Sequence, residues 1–343
     1  MFAELTKYDF IERIQNESYK SLGDFLNRKK PMFLCVSGSH GYGTANENSD
    51  IDLRGCSYNS KDEILLNRDF EQFTSEVSDS AIYSFNKFLF LLSKCNPNVI
   101  ELLGLKDRHY LFETKEFLEL KENSHMFLSK EAVNTFGGYA NMQLRRLDNK
   151  SCRTISQSER EQHILNTLKN VQNSFETRYS NLDTKVFNLY LKDTKENREK
   201  EIYMDAEFKG CSLREFNSMY SELNNAIKEY DKLGSRNMKA VEHGKLGKHM
   251  MHLFRLYYTC FDILENEKII TYREVEKDFL REVREGKFIK DNKPTEEFYD
   301  VLVGLENRLK YASENTSLPD HPNSERILEF KRDINEKIVK DLL

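Results

Sequence analysis

The chain has 343 residues, with 52 Lys and Arg against 57 Asp and Glu, a formal net charge of −5, and 32% charged residues. That length argues for two domains. The charge balance excludes a global attraction to nucleic acid, so any such contact must come from a local basic patch. Only 14 Gly and 5 Pro stand beside 23 Phe and 17 Tyr, the composition of a helix-rich protein with substantial cores. Cys35, Cys56, Cys95, Cys152, Cys211 and Cys260 are widely spaced and form no C-x-x-C pair, which argues against structural zinc. Met1–Asn16 carries charges throughout, and the densest apolar run, Phe88–Leu92, is far too short to span a membrane. The expectation is a soluble cytoplasmic protein with free thiols and no membrane contact.

In chain order, residues 7–27 read as helix, because Phe10, Ile11, Ile14, Leu22, Phe25 and Leu26 recur at helical spacing. Met32–Ser37 is a short apolar run bounded by Pro31 and Gly38 and reads as a buried strand. After a Gly-rich turn, Asp50–Tyr58 reads as a second strand and Glu76–Tyr83 as a third. Ser84–Lys94 is a helix, which Asn96, Pro97 and Asn98 break before another begins at Val99. Beyond about residue 115 almost no strand signal remains. Lys130–Leu147 and Gln157–Phe187 read as helices, residues 188–211 as charged and irregular, and Ser212 to Glu215 as a capping box opening a helix to about Leu233. Met238–Glu265 is a strong amphipathic helix, and one or two more helices close the chain.

The chemistry concentrates in Gly38-Ser39-His40-Gly41-Tyr42-Gly43-Thr44, followed by Ser49-Asp50-Ile51-Asp52-Leu53-Arg54-Gly55. At Gly38 the missing side chain lets backbone approach a ligand closely. Ser39 offers a hydroxyl and an amide to phosphate oxygens in a turn of the anion-binding kind. Strand periodicity puts Asp50, Asp52 and Arg54 on one face, with Ile51 and Leu53 on the other. Two carboxylates so placed repel unless a cation lies between them, and hard oxygen ligands suit Mg²⁺ or Mn²⁺. A lone D-x-D pair is usually a solvated strand end; here it follows an apolar strand and a Gly-Ser turn in a fixed order.

Those pieces resemble the signature of DNA polymerase β superfamily nucleotidyltransferases. The chain resembles more narrowly the RNA-repair-pathway nucleotidyltransferases of bacteria and phages. Further matching stretches are Asp79–Tyr83, Asn96–Leu103, Gly138–Leu147 and Lys248–Leu256. The resemblance implies an α/β N-terminal domain with a polymerase β-like mixed sheet over residues 1–115. The absence of strand signal beyond residue 115 gives an all-α C-terminal domain over 116–343 covering the cleft, with a polar insertion around 155–235 that is longer than the group implies. The resemblance also implies a third carboxylate on a neighbouring strand. Asp79 is the candidate, because Val77, Asp79, Ala81 and Tyr83 share a face at period two; Glu101 is the rival.

Two helices carry further candidates for NTP binding. Tyr139, Gln143 and Arg146 fall at i, i+4 and i+7, and Lys248, His252 and Arg255 repeat that spacing. With Gly38, Ser39 and Arg54 they would hold the triphosphate, and His40 is a further possible contact. Taken alone, each face is as readily an ordinary solvated one. The activity so implied is metal-dependent transfer of a nucleoside monophosphate from an NTP to an acceptor hydroxyl, with an RNA 3′ end such as tRNA as acceptor. Alternatives are toxin-like nucleotidylation of tRNA or protein, and an inactive nucleotide-binding sensor. The oligomeric state stays open.

Overall fold

A computed structural model describes residues 4–47, 49–137, 139–140, 161–162, 164–166, 168–169, 187–194, 200–208, 210–231, 246–291 and 293–343. The chain divides into two compact units: Met1–Gln143 with Met250–Phe288 and Glu296–Leu343, and Leu144–His249 with Ile289–Thr295. The expected division at residue 115 does not coincide with this one, since C-terminal helices belong to the same unit as the sheet.

The first unit is built on a five-stranded mixed sheet: β1 (Pro31–Val36), β2 (Leu53–Ser57), β3 (Gln72–Ser75), β4 (Ser80–Ser84) and β5 (Tyr110–Glu113), in the order β3-β4-β2-β1-β5. Strand β1 pairs antiparallel with both β2 and β5, β2 pairs parallel with β4, and β3 pairs antiparallel with β4. Alternation along β1 splits its side chains between two cores. Phe33 and Cys35 join a large cluster with Phe85, Phe88, Phe117, Phe330 and Ile334, in which Phe33 stacks on Phe117 with ring centroids 4.0 Å apart. Val36 joins Phe10, Leu22, Phe25, Ile51, Leu53 and Ile82.

The local elements follow familiar sequence signals, with four corrections. Residues 7–27 are not one helix but Lys7–Arg13 and Lys20–Arg28 joined by a 3₁₀ turn, because Asn16 caps a new start by accepting from the Ser18 amide. The expected third strand is displaced: Glu76–Asp79 is a turn between β3 and β4. Residues 187–206, expected to be irregular or helical, contain an antiparallel pair, β6 (Phe187–Asp193) with β7 (Lys200–Ala206). The region after residue 115 is therefore not all-α. Alternating Leu189, Leu191 and Ile202 explain that pair; they pack with Ile164, Leu165, Leu168, Met219 and Leu223 in a core of the second unit. Among the described residues three helices rather than one or two follow the long one: Lys277–Glu285, Glu296–Asn315 and Ser324–Val339.

Expected helix starts form. Ser84 caps the Phe85–Ser93 helix, and Ser212 with Glu215 forms the capping box of the Leu213–Asp231 helix. The long helix runs Leu246–Asn266, and residues 238–245 of the expected Met238–Glu265 helix lie outside the described residues. Among the described cysteines, Cys35, Cys56, Cys95, Cys211 and Cys260 are free thiols. No helix among the described residues is long and apolar enough to cross a membrane.

Behind Phe10 lie two buried imidazoles, His40 and His109, at centroid distances of 5.2 and 6.0 Å. Burial, aided by the positive charge of Arg108, pushes the pKa of His109 down from 6.5 to about 4. Burial lowers that of His40 as well. The unfolded chain takes a proton on each ring near pH 6.5, while folded His109 resists until about pH 4. Acidification through that window therefore favours unfolding. We predict that the urea midpoint falls between pH 6.5 and about 4, and that His109→Gln removes up to about 3 kcal/mol of that dependence. Equal slopes in the two proteins would show that this ring titrates freely in the fold.

Candidate active site

The Gly-rich segment forms a five-residue helix, Gly38–Tyr42, directly after β1. Gly38 has φ +59°, a left-handed conformation that glycine adopts without penalty. A Cβ built there would lie 1.7 Å from an Asp52 carboxylate oxygen, so the acid occupies the space that the missing side chain leaves. The Ser37 amide donates to the Asp52 carbonyl at 2.9 Å and ties the turn to the acidic segment. The Ser37 side chain does not cap this short helix. At its far end Gly43, with φ +78°, lies against the Tyr272 ring, where a Cβ would approach to 2.8 Å.

Asp50 and Asp52 lie just before β2 rather than within it. Alternation still holds, because Ile51 and Leu53 are buried while Asp50 is exposed and Asp52 half-buried. Tyr19, which the sequence reading missed, donates its hydroxyl to the Ile51 carbonyl at 2.9 Å and so clamps the backbone between the two acids. Burial and then the charges of Asp50, Asp52 and Asp79 raise the pKa of this phenol, so all three carboxylates act on one point. Tyr19 lies in the turn that interrupts residues 7–27, and nothing in its sequence context marks it.

Asp79 sits in the turn before β4 with φ +39° and does not share a strand face with Ala81 and Tyr83. The parallel register, with Arg54 opposite Ala81, nevertheless brings this turn beside the approach to β2. Arg54 donates from Nη2 to the Asp79 carboxylate at 2.9 Å and from Nη1 to the Asp79 carbonyl. Burial opposes the charge on Arg54, but Asp79 and Asp52 outweigh it and raise its pKa. Arg54 thus holds Asp79 in this structure and makes no contact that requires a phosphate.

Among the described residues no group of three His, Cys, Asp or Glu side chains is close enough to hold a metal ion, so Asp79 is not gathered with Asp50 and Asp52 into a preformed three-ligand site. The donor set at the pair is nonetheless all carboxylate oxygen. Mg²⁺ accepts one or two carboxylates with water and substrate phosphates completing its shell, so the two aspartates fit it.

Glu101 is not at the acidic edge. It is buried, with its carboxylate shared between Arg255, which donates from Nη1, and Tyr42, whose hydroxyl donates at 2.5 Å. The Arg255 guanidinium also lies 3.9 Å over the Tyr42 ring, a cation–π contact. The Glu101 carbonyl accepts from the Thr271 hydroxyl at 2.5 Å. Burial pushes the Tyr42 phenol far above its ordinary pKa, with Glu101 and Asp52 adding to the effect and Arg255 opposing it. Tyr42 thus links this buried network to the turn that holds Asp52.

The expected Lys248, His252 and Arg255 face therefore splits into three environments. Lys248 is exposed and belongs to the second unit. His252 is half-buried with its ring edge-on to Tyr42 at 6.2 Å. Arg255 is buried on Glu101. Helical spacing aligns side chains on a face, but packing against Tyr42 and Glu101 takes Arg255 out of any triphosphate contact. Gln143 and Arg146 lie outside the described residues, and the Tyr139 hydroxyl accepts from Asn96 at 3.3 Å and Asn98 at 3.4 Å. Ser39 is half-buried in the turn, and His40 is buried beneath it.

Residues 11–171 match the model of the RNA repair pathway DNA polymerase beta family. This segment contains the whole five-stranded sheet, the Gly38 turn and all three aspartates. This stretch is thus similar to a family of polymerase β-like proteins. No curated protein and no solved structure gives a match.

Removing one partner of a buried ion pair leaves the other uncompensated. Glu101→Leu should cost about 3–5 kcal/mol in urea unfolding. Glu101→Leu with Arg255→Met should recover most of that loss, because the buried charges then disappear together. A single variant as stable as the parent would place Arg255 in water.

Proposed function

We propose that the chain transfers a nucleoside monophosphate from an NTP to an RNA 3′-hydroxyl and releases pyrophosphate. The observation that carries this reading is the Asp52 carboxylate seated against Gly38 at the start of the turn. Triphosphate binding and carboxylate chemistry would then share one edge of the sheet. The RNA acceptor rests on the family description, which names an RNA repair pathway; tRNA is a narrower version of the same proposal.

In the reaction, the acceptor oxygen bonds to the α-phosphorus, the bond from α-phosphorus to the bridging oxygen breaks, and the hydroxyl proton departs. The turn around Gly38 and Ser39 orients the phosphates through its amides and the Ser39 hydroxyl. Asp50 and Asp52 would hold Mg²⁺ or Mn²⁺. When bound, such an ion offsets charge on the phosphates and on the attacking and leaving oxygens. Asp79, held by Arg54, would accept the proton of the attacking hydroxyl. Retention of all three acids argues against an inactive sensor.

Incubation with each labelled NTP, total RNA and Mg²⁺ or Mn²⁺ tests this reading. Label should enter RNA, and Asp50→Asn or Asp52→Asn should reduce incorporation to background. Because each change relieves like-charge repulsion, thermal stability should hold or rise. Full turnover by a folded Asp52→Asn protein would mean that the chemistry lies elsewhere.

A further inference from the structure

At the ends of β1 and β2 remote from the aspartates is a cavity of about 270 Å³ whose lining includes Arg28, Lys29, Lys30, Lys61, Tyr58 and Asp341. Four cationic side chains thus meet one acidic side chain, in a chain whose net charge is −5. Their commitments differ. Lys29 is paired with Glu63 and lies 4.6 Å over the Phe70 ring. Lys61 meets Asp341 at 3.0 Å, but that carboxylate is 78% exposed and is easily exchanged for another anion. Arg28 donates from Nε to the Asp24 carbonyl at 3.1 Å, and neither Arg28 nor Lys30 has a carboxylate partner among the described residues.

The backbone beneath these cations is fixed. The Tyr58 amide donates to the Lys30 carbonyl at 2.9 Å. The Asn59 side chain donates to Asp69 at 3.0 Å and accepts from the Asn86 amide at 3.2 Å. Lys30 and Lys61 therefore project from a preorganised base, which lowers the ordering cost of binding an anion. From Asp52 to Tyr58 the chain advances roughly 20 Å at about 3.3 Å per residue. The cavity is thus separate from the triphosphate turn.

We propose that this cavity docks the phosphate backbone of a nucleic-acid strand, independently of nucleotidyl transfer. Its volume lies below the roughly 300–1,000 Å³ of pockets that enclose whole small ligands. Its cations suit phosphate oxygens, while its aromatic residue, Tyr58, is buried and offers no open ring face for a base. Recognition is consequently of charge and spacing rather than of sequence. It supplies the local basic patch that an acidic chain needs to hold a polyanion.

The test is fluorescence anisotropy of labelled 12-nucleotide single-stranded RNA and DNA with the full chain, in EDTA and across a KCl titration. Running it in the Asp52→Asn background separates it from transfer activity. The expected result is sequence-independent binding. Lys30→Ala with Lys61→Ala should weaken it about tenfold at low salt and reduce the logarithmic salt slope by about 1.4, at about 0.7 per single-strand phosphate contact. An unchanged circular-dichroism melt would accompany that loss. Wild-type affinity in the double variant would overturn the proposal. So would displacement of the strand by micromolar pyrophosphate, which would make this a small-anion site.

Discussion

The Glu101–Arg255 ion pair sets the conditions for everything around the turn. Both side chains are about 5% exposed, so neither charge has water to fall back on. In that setting a half-made pair is far more costly than none, and the fold must bring both partners to the same place. Glu101 comes from the segment after Pro97, Arg255 from the Leu246–Asn266 helix, and Tyr42 from the end of the Gly-rich turn. Three elements distant in sequence are thereby fixed by one carboxylate. Because Tyr42 is one member, the position of Gly38 relative to Asp52 is set from below by a buried charge network, not by the loop alone.

The acidic edge has the opposite character. Asp50 is exposed, Asp52 is half-buried, and Asp79 is held at the surface by Arg54. Tyr19 feels all three charges, which makes this the most negative neighbourhood around that phenol. Carboxylates so placed repel one another, and under the proposed function a cation would offset that repulsion. Arg54 already offsets part of the charge at Asp79. The charge of Asp52 acts on Arg54 as well.

Much of this was legible in the sequence, for identifiable reasons. Met32 to Val36 is too apolar and too short to be anything but a buried strand, and Ile51 and Leu53 alternate with Asp50 and Asp52 strictly enough to fix which residues face the core. Asp79 was harder. The alternation of Val77, Ala81 and Tyr83 mimics a strand, while the turn at Glu76–Asp79 depends on β3 pairing with β4, a tertiary fact. Glu101 and Arg255 look like cleft residues in the sequence because charge there looks solvated until its partner is known. The partners here are 154 residues apart. The β6–β7 pair was obscured by the dense charges between its apolar positions. Tyr19 carries no local signature at all, since its role comes from where the Ile51 carbonyl happens to lie.

The central claim is that the Gly38 turn and the Asp50–Asp52 pair form one site for a triphosphate and a divalent cation. Paramagnetic broadening of NTP phosphorus resonances by Mn²⁺ on the protein tests it most directly, since it reads phosphate and metal together without requiring turnover or an acceptor. The account predicts selective broadening of the phosphate signals in the wild-type complex, and its loss in folded Asp52→Asn at the same concentrations. Equal broadening in the two proteins would place the metal–nucleotide site away from Asp52 and contradict it.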